Sequence, residues 1–408
     1  MKIAVVGGGA AGLSAAYLLK KAGYSHVTVF EKDSRLGGKC KTVMLNGRSY
    51  ELGAVVHRSG AEPLESFIRE FKLELVPGIA RRPRGTPILF DPHRGRLYPY
   101  PRMLEAIIAA IRLRLITGRR PEICCDGHEN MTADLSLPLT GWLKMNRLSA
   151  LERLFAAWLA GFGYGYPDGI PAAYALKFCT PHSIWALVIQ GAVGFRNGYQ
   201  GLWERIGSVL DVRFNHAVQR ITRQDRIVVA TEGGEFEFDK LILSCDLRAV
   251  APALDLDEEE ADLIGRIRSH RYYSLIAEVE DLPPAAFVTP EYGPQFAGEL
   301  VCWYHRWSDT SVYNIYAIAK EEIGEEEIHQ KIVTSIRQFG GKLGRVVCSQ
   351  SWNYFPCVSS SDLKAGFYRR LEGRQGLRNT YYAGEIMHFP CVDASAAYSA
   401  HLVKKYFA

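Results

Sequence analysis

The chain has 408 residues, 48% of them hydrophobic and 23% charged, with a formal net charge of +5. That length suits one large or two interleaved domains, and so mild a positive charge excludes any need for a nucleic-acid partner while tolerating an anionic substrate. Nine scattered cysteines, without CxxC spacing or histidine-rich neighbours, argue against a disulfide frame or a zinc site and for reduced thiols in a cytoplasmic protein; no metal is expected. Met1 runs straight into an apolar strand without a basic n-region, h-region or cleavage site, so no secretory signal is expected. No window reaches the roughly 18 uninterrupted apolar residues of a spanning helix.

Residues 2–6 are a short β-branched run, followed by Gly7-Gly8-Gly9-Ala10-Ala11-Gly12 and by helix-forming residues 13–21. Strand, glycine turn and helix stand in the order of a dinucleotide-binding βαβ unit. Gly7 permits the tight turn, Gly9 lets a pyrophosphate approach the backbone, and Gly12 lets the helix pack on the strand with its N-terminus toward the phosphates. A second strand at 26–30 ends at Glu31, about 20 residues on, where a carboxylate accepts from a ribose 2′-hydroxyl. At this point NAD and FAD both remain open.

Further along, Arg81-Arg82-Pro83-Arg84 is a basic turn before a hairpin-like segment at 87–98. A helix expected at 103–116 carries a broad apolar surface with Arg112 and Arg114; we read it as core packing with solvated arginines, the alternative being a peripheral contact with a membrane surface. Residues 149–160 form another helix candidate, containing Phe155 and Trp158. A strand-rich stretch runs from about 215 to 245, and an acidic helix occupies 257–267. Strand-like alternation follows at 272–278, 299–304 and 312–319, then a strand ending on Gly384-Glu385, and a last helix at 393–405.

Arg35-Leu36-Gly37-Gly38-Lys39 and Gly47-Arg48-Ser49-Tyr50-Glu51-Leu52-Gly53-Ala54 resemble the double-glycine signature of the amine oxidase, protoporphyrinogen oxidase and phytoene desaturase superfamily. The resemblance implies an α/β fold, with a Rossmann-type FAD-binding domain and an interleaved α+β substrate domain. Non-covalent FAD would be held by 1–75, 200–250 and 345–408, leaving a helical cap region at 76–199 and a sheet-containing region at 251–344. It also implies cofactor contacts at Gly7, Gly9, Ala11 and Gly12, at Glu31 and Lys32, and at Gly38 and Lys39. Gly53, Ala54 and Val55 would run beside the flavin and Val218 would offer backbone groups to the adenine. Gly384 and Glu385 would meet the ribityl diol, and Asp393 and Ala394 would open a helix aimed at the flavin N1/O2 edge.

The inserts are most similar to the flavin-dependent polyunsaturated fatty acid isomerases. The strings that carry this are Phe162-Gly163-Tyr164-Gly165-Tyr166-Pro167-Asp168-Gly169-Ile170-Pro171, Trp303-Tyr304-His305-Arg306-Trp307, Asn353-Tyr354-Phe355-Pro356 and Glu372-Gly373-Arg374-Gln375-Gly376-Leu377-Arg378-Asn379-Thr380. This resemblance implies hydride removal from a bis-allylic carbon to flavin N5 and its return elsewhere on the chain, giving a conjugated product without net oxidation. Flavin N5 would carry the hydride, and the catalytic side chains, an acid or base included, are left unassigned. Tyr164, Tyr166, Trp303, Tyr304, Tyr354 and Phe355 become candidates for an apolar, cation-tolerant pocket. Arg82 matches the family's carboxylate-gating arginine, whereas its gating phenylalanine falls on Leu187, so gating by an aromatic ring is in question. His57 and His388 lie beside flavin segments, with polar packing as the plainer role, and Cys357 lacks the context of covalent flavin attachment. The alternative activity is an FAD oxidase or desaturase passing electrons to oxygen or a quinone; a non-catalytic flavin scaffold is a third class.

Overall fold

The computed structural model describes residues 1–58, 60–78, 88–91, 96–97, 103–190, 193–283, 285–288 and 298–408. A five-stranded parallel sheet lies at one end, in the order Thr380–Tyr382, Lys240–Leu243, Lys2–Val6, His26–Phe30, Asp211–Arg213. Lys2–Val6 sits at its centre, paired with both neighbours through Ile3↔Lys240 and Ile3↔Val27. A strand covered on both faces tolerates no polar alternation, which is why it reads as an unbroken apolar run. The helix Ala10–Lys21 begins directly after the glycine turn, and the terminal helix Val392–Tyr406 packs along it, with Ser399 Oγ donating to the Ala11 carbonyl at 2.9 Å.

A three-stranded antiparallel sheet, Val218–Arg223, Ile227–Thr231 and Gly234–Phe238, is fastened to this end by charge. The buried Arg223 guanidinium donates to Asp255 at 2.7 Å and to both oxygens of Glu260 at 2.7 and 2.8 Å, and Tyr382 donates to the same Glu260. Glu260 belongs to the expected acidic helix, Glu258–Arg266, whose first turn is closed by a capping box between Asp257 and Glu260.

The second large sheet has seven strands, in the order Lys342–Cys357, Arg268–Glu280, Val312–Ala319, Leu300–His305, Ala285–Val288, Ile88–Asp91, Arg96–Leu97. Val312–Ala319 and Leu300–His305 are buried throughout. The helix Glu325–Gln338 packs on this sheet with Ile328, Ile332 and Ile336 inward, and Glu152–Gly161 also packs on it. Two features cross the segment limits set by the sequence. The strand Lys342–Cys357 spans the 344/345 division and lies in this sheet over its whole length, and Ile88–Asp91 and Arg96–Leu97 bring edge strands from the first insert.

The helix at 103–118 departs from the core-packing expectation. Its inner face buries Ala109 and Leu113, but Leu104, Ile107, Ile108, Ile111 and Leu115 face solvent. Among the described residues, no helix is long and apolar enough to cross a membrane.

Candidate active site

The glycine turn is a tight backbone cradle. Gly7 has φ of +111°, and its amide donates to the Phe30 carbonyl at 2.9 Å. A Cβ on Gly12 would fall 2.0 Å from the Gly7 carbonyl oxygen, so only glycine lets the helix start this close to the strand. Gly9 differs: a Cβ there would meet nothing nearer than Gly38 Cα at 3.8 Å. The two glycine loops are joined beside it, the Gly37 amide donating to the Gly8 carbonyl at 2.9 Å. No side chain caps the helix N-terminus at Gly9, which leaves its first amides for an anion.

Glu31 is buried where the second strand ends. Its carboxylate accepts from the Gly8 amide at 2.7 Å and the Asp33 amide at 2.8 Å, each oxygen retaining a lone pair. Its main chain holds the segment that leads to Val218 through Glu31 N to Arg213 O and His216 N to Glu31 O, both 2.9 Å. Val218, two residues on, is half-buried against the same core. Lys32 is exposed.

At the opposite end of the cradle, two expected contact residues pair with each other: Lys39 Nζ lies 2.5 Å from Glu385 and 5.3 Å over the Tyr354 ring. Gly384, with φ of +95°, backs onto the Ser244 carbonyl, while Ser244 Oγ reaches the Val6 and Gly7 carbonyls. Gly53 is required by packing inside the protein, since a Cβ would stand 1.6 Å from the Lys39 carbonyl oxygen. Ala54 donates to that same oxygen at 3.3 Å, and Val55 turns toward the second sheet's core. Asp393, in the first turn of the terminal helix beside Ala394, forms a buried ion pair with Arg58 at 2.5 Å. Burial raises the Asp393 carboxyl, but the Arg58 charge outweighs it and holds the group below the ordinary range.

Beside this join stands a wall of tyrosines. Tyr164 stacks on Tyr354 at 5.7 Å, Tyr354 on Tyr272 at 5.5 Å, Tyr272 on Tyr316 at 5.3 Å and Tyr316 on Tyr304 at 6.0 Å. Three of the hydroxyls donate to backbone carbonyls: Tyr354 to Pro390 and Tyr272 to Gly161 at 2.8 Å each, and Tyr316 to Glu51 at 3.0 Å. Burial pushes the phenols of Tyr164, Tyr272, Tyr316 and Tyr354 far above their usual range, so all four stay neutral. Phe389 and Phe178 close against Tyr164 at 4.5 and 5.0 Å. At the far end of the wall, burial lifts the Glu51 carboxyl to about 7 against the pull of Arg306. Arg306 lies 3.6 Å from Glu51 and is itself buried, its Nε and Nη1 making no hydrogen bond among the described residues.

The model of flavin-containing amine oxidoreductases matches residues 10–402. The chain belongs to that family. Its fold is accordingly the family's: a Rossmann FAD domain with an antiparallel substrate domain. Over its full length the chain is similar to a crystal structure of a CLA-producing fatty acid isomerase from P. acnes, with 29% identity, TM-score 0.93 and coverage of 100% of this chain and 99% of that one. A putative protoporphyrinogen oxidase from Exiguobacterium matches in fold at TM-score 0.72 with 18% identity, covering 99% and 98%. The FAD-dependent oxidoreductase dpasF of Apiospora sacchari is 25% identical over 429 residues, covering 94% of this chain and 87% of its own.

For a member of this FAD-containing family, the cradle suits the cofactor: an open Gly9, an uncapped helix N-terminus and a buried carboxylate at the second strand end occur together. Sequence reasoning placed Tyr164 and Tyr354 in one pocket, and the structure stacks them. It offered Trp303 as well, but Trp303 faces the other side of its sheet, against Phe339 at 4.7 Å. His57 is held by Glu65 at 2.9 Å, His388 lies 3.7 Å from Asp126, and the Cys357 thiol is pushed by burial up to about 12. All nine cysteines are free. Leu187 is half-buried against the main core in the turn Trp185–Gln190, and Arg82 lies outside the described residues. Arg58, Tyr272 and Tyr316 were missed. The alternation at 272–278 and 312–319 could have exposed the two tyrosines, since both fall on the same strand face as Tyr304; a lone arginine in a loop gave no signal.

Proposed function

We propose that this chain is an FAD-dependent isomerase that moves a double bond in a polyunsaturated fatty acid to give a conjugated product. The observation that carries this reading is the full-length likeness to the fatty acid isomerase at TM-score 0.93, against 0.72 for the protoporphyrinogen oxidase fold match. The chemistry of the wall supports it independently. Non-covalent FAD, held by the glycine cradle, Glu31, the Lys39–Glu385 pair and the start of the terminal helix, would supply the hydride acceptor and donor.

The protein's own share is positioning, exclusion of water and stabilisation of positive charge. Removing a hydride from a bis-allylic carbon leaves a delocalised cation on the substrate chain, and each aromatic face attracts a cation by roughly 0.5 to 2 kcal/mol. Because burial keeps the phenols of Tyr164, Tyr272, Tyr316 and Tyr354 protonated, the wall offers neutral aromatic rings rather than ionised groups. A hydride that leaves and returns needs no proton transfer, in keeping with that surface. Arg82 remains the proposed partner of the carboxylate, through the bidentate fork of its guanidinium. Leu187, where the resemblance implies an aromatic gate, would leave that gate wider.

The second reading, net oxidation of an amine or polyene, is favoured by the family's description as amine oxidoreductases. Incubating the purified holoprotein with linoleate in the absence of oxygen separates the two. Isomerisation gives ultraviolet conjugated-diene absorbance over many turnovers with the flavin still oxidised. A strict oxygen requirement with stoichiometric peroxide rules it out.

A further inference from the structure

The helix Met103–Gly118 is apolar on two faces, and the side chains of one of them are exposed among the described residues. Leu104, Ile107, Ile108, Ile111 and Leu115 are between 49% and 69% exposed, whereas Ala109 and Leu113 on the opposite face are buried. The exposed five follow the spacing i, i+3, i+4, i+7, i+11, which is a single stripe about 17 Å long. Soluble monomers rarely leave so continuous an apolar stripe in water. Arg112 and Arg114 lie on the two flanks of the stripe, with Arg119 exposed just beyond the helix end, and Glu105 is the helix's sole acid. The short helix Pro181–Ile184, which packs against this one, leads into Trp185, itself 47% exposed.

We propose that this face docks the protein on an anionic lipid bilayer, with the helix lying in the plane of the interface. Three features fit that occupant. The stripe is narrow and outward, so it enters the acyl boundary without unfolding anything. The arginines on both flanks have long apolar stems that lie along that boundary while their guanidinium groups reach lipid phosphates. The exposed Trp185, at the end of a helix packed against this one, is of the side-chain type most at home between headgroup and acyl chain. A second copy of this chain fits less well, because facing two such stripes brings both arginine rows together with a single glutamate from each copy to offset them. The proposal concerns where the protein sits and does not depend on the reaction assigned to it.

The test is co-sedimentation of the holoprotein with vesicles of phosphatidylcholine alone and of phosphatidylcholine with added phosphatidylglycerol, compared with Ile108→Glu/Ile111→Glu and with Arg114→Gln. Both variants change exposed side chains, so flavin content and thermal midpoint should match the parent and show that the fold is intact. Binding to the anionic vesicles is expected, about tenfold or more weaker in the double glutamate variant and a few-fold weaker in Arg114→Gln. Three results would overturn the proposal: no vesicle binding by the parent, equal binding by parent and double variant, or a dimer in solution that the double variant breaks without any lipid affinity. The readout is binding, so failure here would leave the isomerase reading untouched.

Discussion

We propose that the two halves of this molecule bind their ligands by different means. At the nucleotide end, recognition is built from backbone: a Gly12 that admits no Cβ, an open Gly9, an uncapped helix and one carboxylate already held by two amides. On the substrate side it is built from side chains gathered from distant segments, with Tyr164, Tyr272, Tyr304, Tyr316 and Tyr354 on one wall and the buried pairs Arg58–Asp393 and Glu51–Arg306 at its margins. A backbone site has few tolerated residues per position; a side-chain wall has many. The first should therefore fail abruptly on substitution and the second by degrees.

The largest effect expected is Gly12→Val. Its Cβ would overlap the Gly7 carbonyl, so the helix must leave the strand, and flavin content should fall more than about tenfold, read from absorbance of the purified protein. Stoichiometric flavin in this variant would show that cofactor binding does not depend on the close approach of helix and strand at Gly12. Next is Arg58→Ala, which strands the buried Asp393 carboxylate and should cost about 3 to 5 kcal/mol of stability. Arg58→Met combined with Asp393→Asn should recover much of that loss in denaturant titrations, because no buried charge remains unpaired. Equal losses in the single and double variants would show that the pair acts through something other than charge.

The nucleotide half was legible in the sequence because its determinants are contiguous. Glycines at 7, 9 and 12 and a carboxylate at 31 lie within one βαβ unit, and the physical demand at each position is local. The distributed parts were legible only through resemblance: Gly384-Glu385 is an ordinary dipeptide until it meets Lys39 across the fold. Arg58 was invisible because its partner is 335 positions away and neither residue stands in a distinctive pattern. The outward apolar face at 103–118 was misjudged for a related reason. Periodicity shows that a helix has apolar faces, but which of them meets the core is decided by neighbours remote in sequence.

Smaller effects sharpen the substrate side. Tyr354→Leu removes the ring that stacks on both Tyr164 and Tyr272, and turnover should drop about tenfold while flavin content is kept. Tyr354→Phe should retain most of the activity, since the face and not the hydroxyl is used; equal loss in both variants would assign the role to the hydroxyl. The smallest effect is a pH dependence. Burial raises the folded-state Glu51 carboxyl from 4.5 to about 7. The native state therefore holds this proton more tightly than the unfolded chain, a contribution complete below about pH 4.5 and lost as pH rises through about 7. Relative to Glu51→Gln, the thermal midpoint of the parent should fall by about 1–2 °C between about pH 5 and pH 8. A constant difference across that range would mean that Arg306 keeps Glu51 ionised throughout.

In the proposed isomerisation a hydride leaves the fatty acid and returns to it without exchange with water or oxygen. Linoleate carrying deuterium at both positions of its bis-allylic carbon tests this most directly, in anaerobic light-water buffer, with the product analysed by mass spectrometry. The expected result is a conjugated product that keeps both deuteriums, one of them moved to an end of the former pentadiene unit. Loss of a deuterium to solvent, or product formed only when oxygen is admitted, would contradict it.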